Sequence, residues 1–405
     1  MVRGSYKETE YNSIAGLSLG SASAGIKTPD QQDLVVIKAV PGSNMVGVFT
    51  NNAFCAAPVQ LCRHHLRQDQ PLLLVINTGN ANAGTGAQGN ADALATCTQA
   101  AALTDLRVSQ VLPFSTGVIG EQLPLDKLVA ALPEALADLS NDGWSRAAKG
   151  ILTTDTRSKG ASVQWQWQGQ TLNLTGIAKG AGMIRPNMAT MLAFIATDAS
   201  LDQACLQELL LHATEQSFNR ITVDGDMSTN DSCILIATGA SGVTVDTAQP
   251  ELLASFNAAL LQLMQQLAQA IVCDGEGATK FVIIEVVGGL SQTECLQVAY
   301  AIAHSQLVKT ALFASDPNWG RILCAVGYAG VEKLDINRLT IHIGDTLLVT
   351  DGGRSPDYTE AAGQAVMEQD EVVIRVDLRR GLAKTTIWTT DLSYDYIRIN
   401  AEYRT

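Results

Sequence analysis

A threonine at position 190 stands in KGAGMIRPNMATMLAFIATDA, residues 179–199, between a glycine-rich, proline-broken stretch and an apolar run. A threonine hydroxyl is a poor nucleophile until a base removes its proton. Histidine, the usual base, occurs only at 64, 65, 212, 304 and 342. His212 and His304 fall on predicted helices and His342 in a predicted strand, where an ordinary structural role suffices, so a Ser-His-Asp relay lacks its base. The remaining base is the threonine's own α-amine, which is available only if the threonine is a chain terminus. The chain would then first have to break at Ala189–Thr190. Gly180, Gly182 and Pro186 permit a tight, strained backbone. The small Ala189 leaves room for the hydroxyl to attack the preceding carbonyl, and MLAFIATD reads as a buried strand that would hold the new terminus rigidly. A glycine-rich turn leading into a strand, with no chemistry, accounts for the same spacing.

Attack on an acyl carbonyl needs donors aimed at the developing oxyanion. STGVIG, where a predicted strand ends in a turn, offers the Thr116 hydroxyl and the Gly117 N–H, although S-T-G is also an ordinary turn. Lys179, eleven positions before Thr190, suits a carboxylate or simply faces solvent. Glu276, between two glycines in DGEGATKF, suits a cationic amine or simply faces water. Two other motifs fail on inspection. Gly84, Gly86 and Gly89 satisfy G-x-G-x-x-G, but Thr78 to Ala83 separate strand from first glycine, and the next strand lacks the acid that would hold a ribose. DGDMSTND, residues 224–231, begins like a calcium loop, yet Thr229 replaces the required glycine and no glutamate closes it; its Asp and Asn residues suit a hydrogen-bonded turn. His64 and His65 are adjacent with no cysteine pair at ligand spacing, so no metal site is expected.

The segments NTGNANAGTG (77–86), STGVIGE (115–121), TTDT (153–156), KGAGMIRPNMAT (179–190), DGDMSTND (224–231), DGEGATKF (274–281), SDPNWGRI (315–322) and INAEYRT (399–405) occur in this order along nearly the whole chain. Taken together the sequence resembles the ornithine acetyltransferase family of arginine biosynthesis, self-processing enzymes with an N-terminal threonine nucleophile. The resemblance implies Thr190 as nucleophile after cleavage between Ala189 and Thr190, with Thr116 and Gly117 as the oxyanion hole. It implies substrate contacts from Thr153, Lys179, Thr190, Glu276, Asn400 and Thr405, with Thr154 and Thr156 close enough in TTDT to compete for the first assignment. The implied reaction moves acetyl from N2-acetyl-L-ornithine to L-glutamate. Acetyl-CoA is a further donor in some members, so it enters as a possible substrate; no bound cofactor and no metal are implied. Two α chains (1–189) and two β chains (190–405) are implied to assemble, both contributing to each site. The residues alone leave two other readings: a hydrolase that uses Thr190 to deliver the acyl group to water, and a non-catalytic metabolite-binding protein built around the Gly84 loop.

These side chains need a scaffold, and the composition describes one. In 405 residues, 46% apolar and 17% charged, the chain can bury more than one core. A net charge of −13 is the wrong sign for a nucleic-acid binder or for an anionic membrane surface. No uncharged apolar run reaches spanning length. The polar start MVRGSYKETEYNSIAG has no apolar signal core, and the eight cysteines lack a C-x-x-C pair, so a reduced, cytoplasmic protein is expected. Predicted strands (PLLLVINTG, VSQVLPFS, MLAFIATD, SCILIATG, KFVIIEVVGG) alternate with predicted helices. The latter include GNADALATCTQAAAL, a proline-containing PLDKLVAALPEALADL, LDQACLQELLLHATEQSF capped by Asp198 or Ser200, residues 252–272 and SQTECLQVAYAIAHS. VQWQWQGQTLNLTGIA reads as a hairpin turning at Gly169. Beyond Leu339, LTIHIG, TLLVT, EVVIRVDL, KTTIWTT and YIRIN read as strands beside one helix, EAAGQAVMEQ. The class is α/β tending to α+β, a layered sandwich of mixed sheets and helices, with a C-terminal subdomain from about residue 280.

Overall fold

The computed structural model describes residues 10–28, 31–185 and 191–402. They fall into two compact units, one formed within 8–219 and 226–271 and the other within 220–225 and 272–405.

The first unit holds nine strands: β1 Leu17–Ala22, β2 Leu34–Ala39, β3 Asn44–Phe49, β4 Leu73–Asn80, β5 Val111–Val118, β6 Lys159–Trp167, β7 Gln170–Lys179, β8 Leu192–Thr197 and β9 Ser232–Ala237. They make two sheets, β1-β2-β4-β5 and β3-β9-β8-β7-β6. Among the described residues only the β4–β5 and β8–β9 pairs of this unit run parallel. Its helices are α1 Ala57–Gln68, α2 Gly86–Thr104, α3 Leu125–Ala137, α4 Trp144–Gly150, α5 Gln203–Glu215 and α6 Pro250–Cys273. Strand β2 shows why the layers form. Leu34 and Val36 pack with Cys97, Leu128 and Leu132 of α2 and α3, whereas Val35 and Ile37 join Phe194, Ile234 and Ile236 of the second sheet. Both faces are covered, so the strand reads as an unbroken apolar run. Phe114 of β5 meets Phe194 of β8 edge-on, ring centroids 5.1 Å apart, across the sheet–sheet core. On the far side of the second sheet, Gly176 admits Leu263 and Leu267 of α6, and Trp165 packs against Phe256. The layers run helix, sheet, sheet, helix.

The expected hairpin is β6–β7. Its two turn residues, Gln168 (φ 48°) and Gly169 (φ 82°), both adopt the left-handed conformation that a two-residue hairpin turn requires. The cap of α5 differs from expectation: Asp202 accepts from the Cys205 N–H at 2.8 Å. Asp198 is committed elsewhere, to the N–H and side-chain amide of Asn173, and Ser200 is drawn into a bridge with Thr244.

The second unit is built on the sheet β13-β12-β11-β14-β10-β15, with only β10–β14 parallel. Its strands are β10 Phe281–Gly289, β11 Thr340–Ile343, β12 Thr346–Thr350, β13 Gly353–Arg354, β14 Glu371–Asp377 and β15 Ala383–Thr390. Helices α7 Gln292–Ala303, α8 Gln306–Phe313, α9 Trp319–Gly327, α10 Glu360–Met367 and α11 Tyr394–Ala401 complete it. Val282, Ile284, Ile341, Ile374 and Val376 of the sheet share one core with Val298, Ile302, Leu312 and Ile322 of the helices. The segment YIRIN, expected as a strand, lies in α11. Its alternating residues bury no face, and Ser393 caps the helix by accepting from the Tyr396 N–H.

Candidate active site

Strand β5 ends at the motif that carries Thr116 and Gly117. Its end is held by hydrogen bonds on both sides: Ser115 Oγ donates to Asn77 Oδ1 at 2.6 Å, and Asn230 Nδ2 donates to the Ser115 carbonyl at 2.9 Å and to the Ala81 carbonyl at 2.5 Å. Gly117 has φ 137°, and a Cβ there would fall 2.3 Å from the Gly79 carbonyl carbon on β4. Only glycine fits so close a backbone approach. Lys179, at the last position of β7, donates from Nζ to Thr116 Oγ1 at 3.2 Å. Two residues 63 positions apart in sequence are thus in direct contact. The hydroxyl oxygen accepts from the lysine, which leaves its own O–H to point elsewhere.

Asp155 ties Thr153 and Lys179 into the same cluster. Its Oδ2 accepts from the Thr153 N–H at 3.0 Å, and Oδ1 accepts from the Gly180 N–H at 2.7 Å and from Lys159 Nζ at 2.5 Å. Both side chains of the Asp155–Lys159 ion pair are fully buried. Burial alone would raise the Asp155 pKa, but the charges of Lys159 and Lys179 and the hydrogen bonds hold it well below the usual carboxylate range. Within TTDT, then, the aspartate is the organising residue. The motif itself draws attention to the threonines; the sequence signal for the aspartate is Lys159 four positions on. Asn230 was likewise passed over, as part of a polar turn. Thr116, Lys179, Gly180, Met191, Ser228 and Asn230 line one cleft. Lys179 is the cross-strand partner of Leu192, so the connection 180–191 leaves and re-enters the sheet at this cleft.

In the second unit, Glu276 and Asn400 are brought together. Asn400 Nδ2 donates to Glu276 Oε2 at 2.7 Å. The start of α11 is anchored to the same loop, with Ser393 Oγ donating to the Gly277 carbonyl at 2.6 Å. A Cβ on Gly277 would sit 2.4 Å from the Tyr396 nitrogen, so the glycine beside Glu276 is sterically required. Farther along the loop, Asp391 accepts from the Thr279 N–H (2.8 Å), the Thr279 hydroxyl (2.5 Å) and the Lys280 N–H (3.1 Å). Behind Asp391 lies Lys309, whose Nζ bonds Thr389 Oγ1 and the Thr390 carbonyl. Burial lowers the Lys309 pKa to about 8 against the opposing charges of Asp391 and Asp224. Ala189, Thr190 and Thr405 lie outside the described residues.

The model of the ArgJ family matches residues 18–405. The arginine biosynthesis bifunctional protein ArgJ of Pseudomonas fluorescens is 56% identical over 393 residues, 97% of each chain. The protein of the same name from Pseudomonas syringae pv. tomato is 54% identical over 393 residues, again 97% of each. Among solved structures, the arginine biosynthesis bifunctional protein argJ of Bacillus halodurans is 42% identical with a TM-score of 0.50. That match covers 53% of this chain and 100% of the Bacillus chain. Ornithine acetyltransferase from Mycobacterium tuberculosis, solved with ornithine, is 34% identical with a TM-score of 0.38, over 44% of this chain and 93% of that one.

Proposed function

This chain belongs to the ArgJ family, and we propose that it carries acetyl between amino acids through an acetyl-threonine formed on Thr190. It is an acetyltransferase of arginine biosynthesis that takes the acetyl group of N2-acetyl-L-ornithine to L-glutamate. The observation that carries the mechanism is the Lys179–Thr116 hydrogen bond. It places a cation and a hydroxyl donor beside the cleft at which the connection 180–191 re-enters the sheet, and Thr190 is two residues along the chain from Leu192, the partner of Lys179.

In the first half-reaction the Thr190 amine takes the hydroxyl proton as Oγ attacks the acetyl carbonyl. The Thr116 O–H and Gly117 N–H receive the oxyanion. Lys179, bonded to the Thr116 oxygen, polarises that hydroxyl and makes it a better donor. The carbon–nitrogen bond then breaks, the proton passes from the Thr190 amine to the departing nitrogen, and ornithine leaves. Glutamate's amine attacks the acetyl-threonine ester in reverse order and regenerates the hydroxyl. Glu276, held by Asn400, pairs with the side-chain ammonium of ornithine, and Thr153 and Thr405 complete the substrate contacts. Acetyl-CoA as a second donor for glutamate is consistent with the word bifunctional in the relatives' names.

The amine that serves as base exists only after scission of Ala189–Thr190 into chains 1–189 and 190–405. In support, the Bacillus chain is matched whole by 53% of this one, the share that residues 190–405 make up. The proposal extends to an α2β2 assembly in the cytoplasm. Among the described residues no helix is long and apolar enough to cross a membrane.

A denaturing gel and N-terminal sequencing test the reading. Wild type should give two bands, the second starting Thr-Met-Leu-Ala, and Thr190→Ala one full-length band without transferase activity. An active, unbroken wild-type chain removes the mechanism. Acetate released as fast as ornithine, independent of glutamate, would make the enzyme a hydrolase instead.

A further inference from the structure

Lys27 lies in the loop between β1 and β2, a stretch that the reaction described above does not use. The loop has a built shape. Asp33, fully buried, accepts from the N–H groups of Ala24 (2.6 Å), Ile26 (2.6 Å) and Lys27 (2.9 Å), so its carboxylate fixes the backbone from which Lys27 projects. The lysine stem covers Gly79, where a Cβ would fall 2.8 Å from Lys27 Cγ. Gly79 is in turn the strand partner of Gly117. At its far end Nζ donates to the Leu152 carbonyl at 2.9 Å, the residue before Thr153. The side chain therefore runs from Gly79, the strand partner of Gly117, to the carbonyl before Thr153, half-buried, within electrostatic reach of Asp155 and Lys179. Burial lowers its pKa, Lys179 acts in the same direction, and Asp33 and Asp155 oppose them. An anion docking there would oppose the shift as well.

The two amino acids handled by one cleft differ in charge. Acetylornithine offers a single carboxylate and a side-chain ammonium; glutamate offers two carboxylates. Lys179, which the family resemblance puts in contact with substrate, suits the carboxylate that both share, and a second cation is needed for the carboxylate that only glutamate has. An ammonium has three N–H donors, and the Leu152 carbonyl takes one.

We propose that Lys27 is a further substrate-binding residue, which receives the side-chain carboxylate of the acetyl acceptor beside Thr153 and thereby selects a dicarboxylic amino acid. This rests on the transfer reaction proposed above. The experiment compares glutamate with glutamine, its uncharged isostere, as acceptors, with acetylornithine as donor. Wild type should favour glutamate. In Lys27→Met and Lys27→Gln the ratio of kcat/KM for glutamate over glutamine should fall roughly ten- to hundredfold, and Lys27→Arg should restore most of it. Lys27→Gln keeps a donor for Leu152, so a fall in that variant separates lost charge from a loosened loop and stands in should Lys27→Met not fold. A ratio unchanged in Lys27→Gln, or a wild type that does not distinguish the two acceptors, overturns the role of Lys27 while leaving acetyl transfer intact. A wild type that releases no ornithine from acetylornithine sinks the transfer reaction, and this inference with it.

Discussion

Asparagine in place of Asp155 tests whether the polar cluster beneath the cleft holds the fold as the geometry says. Both carboxylate oxygens are engaged, Oδ1 by Lys159 Nζ at 2.5 Å and the Gly180 N–H at 2.7 Å, Oδ2 by the Thr153 N–H at 3.0 Å. Asparagine keeps one oxygen acceptor but removes the charge that neutralises Lys159, whose side chain is 0% exposed. Breaking a buried pair from one side costs about 3–5 kcal/mol, a large part of a typical total of roughly 5–15 kcal/mol. Urea unfolding at pH 7 should show that loss when Asp155→Asn is compared with its parent, both in the unprocessed Thr190→Ala background so that one polypeptide unfolds. The linkage has a definite sign. The folded pKa of Asp155 is depressed, so its stabilisation is fully present above the unfolded value near 4 and is lost as pH falls through the folded value. The gap between the two proteins should be constant from neutral pH down to about 4 and narrow below it. A difference under about 1 kcal/mol at pH 7, the worth of an exposed pair, or a gap that does not narrow in acid, would refute the assignment.

Gly117→Ala puts a methyl 2.3 Å from the Gly79 backbone and must push the end of β5 away from β4. A displaced oxyanion donor lowers kcat by about 10²–10³; steady-state kinetics on folded protein should show kcat carrying most of the loss, and an unchanged kcat counts against the oxyanion role. Lys309 is buried with a folded pKa of about 8, below its unfolded value, so the unfolded chain holds the extra proton between pH 8 and 10.5 and stability rises with pH in that window. The rise, on the order of 3 kcal/mol, should be absent from Lys309→Met when the two are compared by denaturant unfolding across that range.

What the sequence disclosed follows from how local each signal was. Strand β8 was legible because LAFIA is an unbroken apolar run bounded by polar and turn residues, and the β6–β7 hairpin because Trp and Gln alternate up to Gly169. YIRIN alternates just as well, yet one serine cap outweighs a periodicity that buries nothing. The helices α8 and α9, to which the sequence reading assigned nothing, begin at Ser305 and Asn318, whose side chains cap them; caps inside a polar stretch were the signal missed. Thr116, Lys179, Glu276 and Asn400 came from motif resemblance, and the structure supplies their pairing. Asn230 and Lys27 are not legible because each donates to a backbone carbonyl remote in sequence, through contacts that no local spacing encodes, whereas Asp155 has its ion-pair partner Lys159 only four positions on.

The order of the five-stranded sheet has a consequence for how the halves could ever be made. Strands β8 and β9 lie downstream of Ala189 but are flanked by β3 on one side and β7 on the other, both upstream. A nick before β8 would leave the β8–β9 pair in one fragment, seated between β3 and the β6–β7 hairpin of the other. Neither half could assemble that sheet in isolation, so the scission proposed above would have to follow folding, and the two pieces should then stay locked together until a denaturant unpicks them.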